Sequence, residues 1–130
     1  MGGVGTLVYI FQKHHFQRLQ IKTQIFIHPN VFGPGLNIEH VGFQWADEST
    51  IAGKNVTILP RVLLGKKDGR AYKGCIRIGD NVYIGTGVTI LGPVNIGSNV
   101  IIAAGSVIIR DVPDNCMVAG NPAVVKKYFR

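Results

Sequence analysis

An all-β fold, a parallel β-helix wound from six-residue units, is what the 130-residue sequence predicts, and three observations carry that prediction. Ile78, Ile84, Ile90, Ile96, Ile102 and Ile108 follow one another at six-residue spacing without a slip. That period fits neither the turn of an α-helix nor a hairpin meander. It fits a chain that turns a corner every six residues and stacks on itself. Two residues ahead of each next isoleucine come Val82, Val88, Val94, Val100 and Ser106, with Val112 closing the series. The period-two pleat of a strand puts them on the isoleucine face, so each unit presents a pair of inward side chains. The corner position between holds Asn81, Gly87, Pro93, Asn99, Gly105 and Asp111. Gly, Asn and Asp tolerate the positive φ that a repeated tight corner demands, and Gly79, Gly85 and Gly97 in the second position lend the same freedom. An antiparallel sandwich would space its strands about 8–12 residues apart with irregular loops.

Before residue 23 the pattern is helical. Leu7, Ile10 and Phe11 share one face, continued by Phe16, Leu19 and Gln20, with His14 and His15 beside it. Residues 1–22 are expected to form an N-terminal helical cap; a membrane-surface anchor helped by Lys13, Arg18 and Lys22 is the alternative. The apolar run 4–11 is too short to span a bilayer, and no small-residue cleavage site follows it.

Residues 23–127 are assigned to the β-helix. Phe26, Phe32 and Ile38 form its first inward set; Ala52, Ile58 and Leu64, with Val56 and Val62, form the second. The interval is 14 residues from Ile38 to Ala52 and again from Leu64 to Ile78, where two units would take 12. Extra residues in a repeat architecture become loops on one face, often the working face. Residues 65–77 are glycine-rich and carry Lys66, Lys67, Arg70, Lys73 and Arg77, which predicts an exposed basic loop.

A chain of this length suggests one domain. Two cysteines, Cys75 and Cys116, make neither a disulfide framework nor a C-x-x-C motif, which suits a reducing, cytoplasmic setting. Net charge is +7, yet no recognition helix or aromatic strand platform is visible for nucleic acid. A polyphosphate small molecule accounts for the excess more economically, and a simply basic surface does so too.

Several segments resemble the hexapeptide-repeat acyltransferases, in particular serine acetyltransferase and its sugar- and capsule-modifying relatives. Ile27-His28-Pro29 with Gly33-Pro34-Gly35-Leu36-Asn37-Ile38-Glu39-His40 is similar to that family's first coil and its acidic-histidine pair. Asp47-Glu48-Ser49 falls where the family has a Gly-Glu-Thr turn. Asn55-Val56-Thr57-Ile58, Val62-Leu63-Leu64-Gly65, Ala103-Ala104-Gly105-Ser106-Val107 and Ala119-Gly120-Asn121-Pro122-Ala123 resemble later coils and the usual ending. The resemblance implies a left-handed β-helix shaped as a three-sided prism, a homotrimer, and acetyl-CoA held between neighbouring subunits. It assigns His40 as general base, Glu39, Asp47 and Glu48 to the acceptor, and Gly85, Gly87, Ala103, Ala104 and Gly105 to the pantetheine arm. Lys126 and Lys127 would hold a CoA phosphate, with no metal required.

Acetyl transfer from a thioester to an alcohol needs a base for the hydroxyl proton and a donor for the developing oxyanion. Imidazole is the natural base. His14 and His15 belong to the helical segment and His28 reads as ordering its corner, while His40 matches the catalytic histidine that the resemblance implies. Cys75 has no histidine near it in sequence to activate it as a nucleophile. Three departures from the serine enzymes bear on the acceptor. Phe26 stands where they carry an aspartate that orients the histidine, Cys75 or its neighbours stand where they carry a second histidine, and their long helical amino-terminal domain is not matched. A backbone carbonyl, Asp47 or Glu48 would then have to orient His40. The sequence therefore favours a sugar or another alcohol as acceptor over serine, and leaves a non-catalytic β-helical scaffold as the alternative. A β-helical zinc enzyme needs histidine spacings that this chain lacks.

Overall fold

Branched side chains at alternate positions of very short strands stack into three flat faces. The computed structural model describes residues 3–70 and 72–130. Helix α1 (Gly3–Thr23) leads the chain. Face A stacks β1 (Ile25–Ile27), β3 (Gln44–Ala46), β6 (Val62–Lys66), β9 (Thr89–Gly92) and β12 (Val107–Ile108). Face B stacks β4 (Thr50–Ala52), β7 (Ile76–Ile78) and β10 (Val94–Ile96), extended at its ends by bridges from Phe32 to Ala52 and from Ile96 to Val112. Face C stacks β2 (Asn37–Ile38), β5 (Thr57–Ile58), β8 (Val82–Ile84), β11 (Val100–Ile102), β13 (Cys116–Gly120) and β14 (Ala123–Tyr128). Pairing is parallel throughout except that β14 turns back antiparallel on β13 and ends the stack. This is the three-sided arrangement of a left-handed β-helix.

The expected isoleucines line the interior. Ile84, Ile90 and Ile102 are fully buried, and Val56, Val88 and Val100 sit beside them in the same core. Every third unit returns to the same face, so Val82 pairs with Val100, 18 residues on. Between faces B and C the corners hold a ladder of side-chain amides: Asn55 donates to Asn81, Asn81 to Asn99 and Asn99 to Asn115, at 2.9–3.2 Å. All four asparagines have φ of 55–56°, the left-handed conformation that the corner position predicted. Gly79 has a different reason. Its φ is not positive; a Cβ there would lie 2.8 Å from the Gly97 carbonyl of the next coil, so close backbone approach selects glycine.

Four expectations change. In the first coil Ile27, not Phe26, shares register with inward Ala46 and packs on the core, while Phe26 pairs with outward Trp45. Ile27 to Phe32 takes five residues where Ala46 to Ala52 takes six, so the corner after β1 is one residue short and the inward position falls on Ile27. Val112 stacks on Ile96 rather than on Val94, because the corner after Ile108 is short. The basic loop is confined to 67–75, since β6 runs to Lys66 and Arg77 is an outward residue of β7. Partners across it lie 26 residues apart (Thr50 with Ile76) against 18 for Val82 with Val100, so it inserts eight residues into one unit. Helix α1 covers the expected segment, but none of its described residues is buried, so within one chain it precedes the prism without covering it. It ends where the Thr23 hydroxyl donates to the Leu19 carbonyl and Gln24 adopts φ 59°. No helix among the described residues is long and apolar enough to cross a membrane.

Candidate active site

The prism has three edges, and the sequence-predicted residues divide among them. The edge between faces C and A carries the corners that follow β2, β5, β8 and β11. These contain His40, Pro60, 85–87 and 103–105 in succession along the stack. Hydrogen bonds tie neighbouring corners. Gly87 N and the Thr86 hydroxyl both donate to the Pro60 carbonyl, at 3.0 and 2.8 Å. Gly105 N donates to Thr86 O at 2.8 Å. Gly87 and Gly105 have φ of 70° and 71°, and a Cβ on Gly105 would meet nothing within 4 Å. Gly85 is buried, its α-carbon packed against the Ala104 backbone of the next corner. Gly87 and Ala103 are half-buried and Ala104 and Gly105 exposed, so the main chain open to an extended ligand on this edge is that of 86–87 and 103–105.

His40 stands at the start of the same edge, exposed, just beyond β2. Its carbonyl accepts from Gln44 Nε2 at 3.3 Å. Gln44 is fully buried in β3, so the interior holds the backbone that carries His40 while the ring projects to solvent. Glu39 N donates to Ile58 O at 3.3 Å, and its side chain is exposed next to His40. The regular strand ends at Ile38, so the strict alternation that would send Glu39 and His40 to opposite sides does not extend to them.

Asp47 and Glu48 lie elsewhere. They follow β3 and occupy the edge between faces A and B, whereas His40 precedes β3. Strand β3 separates them by about 10 Å at ~3.3 Å per residue, so neither orients His40 within one chain. Asp47 accepts from both the backbone and the hydroxyl of Ser49 and pairs with Lys66 at 3.5 Å. Burial pushes its carboxyl up, but the Ser49 hydrogen bonds and the Lys66 ammonium outweigh this and hold it below the usual value. A carboxyl depressed in the folded chain contributes stability that is present above its unfolded value, near about 3.9, and lost as pH falls through the folded value. Urea unfolding of Asp47→Asn is therefore expected to show a deficit at pH 6 that shrinks below about pH 4. An equal deficit at pH 3 and pH 6 would contradict this account.

Beside Asp47, a cavity of about 500 Å³ is lined by His28, Glu48, Ser49, Thr50, Tyr72 and Lys73 among others. Loop 67–75 folds over this edge, with Gly74 N and Ile76 N both donating to Ser49 O. Sequence reasoning saw the loop's charge but not Tyr72 or the cavity, and His28 borders that cavity besides donating its backbone N–H to Ala46 O. Lys126 and Lys127 are exposed on β14, which runs away from the C–A edge, with Lys127 opposite Met117. They do not join the row of small corners in the same chain. Cys75 is buried beneath Gly92, and burial with the nearby Asp114 carboxylate pushes the Cys116 thiol up, so neither is a nucleophile in this fold. One feature of face A was not expected: Phe26 lies 5.8 Å from Trp45 and 6.3 Å from Phe43 between ring centroids, an aromatic cluster on the outer surface next to the His40 corner.

Residues 75–110 match the bacterial transferase hexapeptide family (six repeats). The chain has the β-helix of the hexapeptide-repeat transferases. It is 47% identical over 98 residues, 75% of its own length and 29% of the relative's, to a probable serine acetyltransferase 5 from Oryza sativa subsp. japonica. Among solved structures it is similar to serine acetyltransferase in complex with coenzyme A from Brucella abortus strain S19, at 31% identity and TM-score 0.79, covering 95% of this chain and 52% of that one. A maltose O-acetyltransferase from Clostridium difficile 630 superposes with TM-score 0.63 at 32% identity, over 76% of this chain and 58% of that one. The chain spans a quarter to a third of the curated relatives' length and about half that of the solved serine acetyltransferases. These relatives carry names that include mitochondrial and chloroplastic forms.

Proposed function

We propose that this hexapeptide-repeat transferase is an acetyl-CoA-dependent O-acetyltransferase, with His40 as general base and the C–A edge as the groove for CoA. The observation that carries the reading is the alignment of His40 with Gly87, Ala103, Ala104 and Gly105 along one edge of the prism, with buried Gly85 letting the two corners pack closely. An extended pantetheine arm needs uncovered main-chain groups and no protruding side chains, which is what these corners supply. In the transfer step the His40 imidazole takes the acceptor's hydroxyl proton as oxygen attacks the thioester carbonyl. The tetrahedral intermediate then collapses, the C–S bond breaks, and the proton returns to the departing thiolate. Asp47 and Glu48, on the A–B edge, meet a His40 site only if the A–B edge of one copy faces the C–A edge of the next. A homotrimer with sites between copies satisfies this, and Glu39 then contributes from the His40 side. Lys126 and Lys127 lie away from this edge in the same chain, so a contact with a CoA phosphate would have to come from a neighbouring copy.

Calorimetric titration with CoA tests the groove. The parent chain is expected to bind, and Ala104→Trp, which puts a bulky ring on the exposed corner, is expected to weaken binding by about tenfold or more. Absence of CoA binding by the parent chain would leave a non-catalytic scaffold as the remaining reading. Undiminished binding by Ala104→Trp would place CoA on another edge.

A further inference from the structure

We propose that Gln44 is a positioning residue for His40, a buried amide that fixes the reactive corner from inside the prism at some cost to the stability of the stack. This rests on the reading of His40 as the base and adds the group that aims it. Gln44 lies in an inward column of face A, in register with Ile25 and Val62, and the column continues through Val88 and Ser106. Val62 and Val88 fill their places with hydrocarbon, while the two polar members, Gln44 and Ser106, are also fully buried. The Ser106 hydroxyl donates to the Ala103 carbonyl at 2.6 Å and accepts from Gly120 N at 3.3 Å, so both of its hydrogen-bonding roles are used. Gln44 does not balance in the same way. Its Nε2 donates to the His40 carbonyl at 3.3 Å, but its Oε1 is buried with no partner among the described residues. An unpaired carbonyl in an interior lined by Ile27, Ile58, Val62 and Leu64 opposes folding, and an apolar side chain here would avoid that penalty. Stability therefore does not explain the amide.

The shape of the corner does explain it. Ile38 to Gln44 is six positions, where Ile58 to Val62 and Ile84 to Val88 are four, so the corner that carries His40 holds two more residues than those stacked on it. Little of the backbone ladder reaches this extra chain. Glu39 N donates to Ile58 O, and the Phe43 carbonyl accepts from Arg61 N. Between these two, among the described residues, the Gln44 bond is the one that residues 40–42 make within the chain. A general base has to be held within about 0.5 Å of its working place. By tying the His40 carbonyl to a side chain locked in the packed core, Gln44 limits the backbone positions from which the imidazole can project. Gln44 reaches the corner from within, so its bond needs no exposed surface and is the same when a neighbouring copy covers the outer face.

Gln44→Met tests this in the full chain, because it keeps the length of the side chain and removes both polar amide atoms. The variant is expected to melt roughly 2–8 °C higher at fixed protein concentration, since the unpaired oxygen is gone. Amide hydrogen exchange at residues 39–43 is expected to quicken while that of the neighbouring coils does not. With acetyl-CoA and either L-serine or methyl glucoside as acceptor, kcat is expected to fall about ten- to hundredfold while the KM for acetyl-CoA holds. Added to His40→Ala, the same change is expected to lower turnover by less than about twofold, because a residue that acts through the imidazole then has nothing left to aim. The proposal is overturned if Gln44→Met melts lower than the parent, which would make the amide an ordinary part of the core. Unaltered exchange at the corner, an unchanged kcat, or a full further loss in the His40→Ala background would overturn it as well. Melting and exchange need no turnover. A parent chain that consumes no thioester with either acceptor would therefore sink the acetyl-transfer reading and leave the anchor to be decided by those two measurements.

Discussion

Replacing His40 with alanine is expected to lower acetyl transfer by about 10²–10⁴-fold, the usual contribution of a positioned general base. The side chain is exposed and its ring packs on nothing that the fold depends on, so the loss should appear in kcat with the melting temperature almost unmoved. The backbone at this corner is held independently, by the bond from Gln44 to the His40 carbonyl, which alanine retains. His40→Ala should therefore still bind CoA along the corners at 85–87 and 103–105. Thioester consumption followed with an acceptor panel measures the effect, and undiminished turnover in this variant would remove His40 from the chemistry.

Ile84→Ala is expected to destabilise the chain by about 2–5 kcal/mol, with no direct consequence at the C–A edge. Ile84 is fully buried in β8, and that strand pairs on both sides, with β5 and with β11. The coils above and below are fixed by their own ladders, so they cannot collapse into the space that the isoleucine leaves. The same truncation at Ile38, half-buried in the terminal strand β2, should cost clearly less, because one side of it faces no further coil. Thermal and urea unfolding of the two variants compare the sites directly. Equal losses at Ile84 and Ile38 would mean that the stack is not the unit of stability.

The fold was legible because burial enforces it at every turn. An isoleucine facing solvent every sixth residue would forfeit transfer free energy at each coil, so the unbroken series from Ile78 to Ile108 admits few other arrangements. Legibility weakened where the count slips. Phe26 occupies the position that the six-residue frame extended upstream assigns to the core, yet a corner one residue short between Ile27 and Phe32 turns it outward and puts Ile27 inside. The candidate site was legible for a related reason. A coil of three units brings the corners after β8 and β11 to the same edge as His40, so counting along the chain already groups them. Asp47 and Glu48 follow His40 closely in sequence, which made one cluster a natural expectation. A short strand crossing face A is enough to carry them to the next edge.

What the sequence by itself determined is the period, the inward and outward sets, the corner chemistry at Asn81, Asn99, Gly87 and Gly105, and the place of the inserted loop. These are local consequences of side-chain branching and backbone conformation, repeated often enough to be read in one dimension. Only the tertiary structure decided that Phe26 meets Trp45 across a 19-residue coil, that loop 67–75 folds back to shape the cavity beside His28 and Glu48, and that Asp47 is held by Ser49 and Lys66. Each of these depends on register between coils. Register is set by how the whole stack closes its backbone hydrogen bonds, and a shift of one residue exchanges the core face for the solvent face.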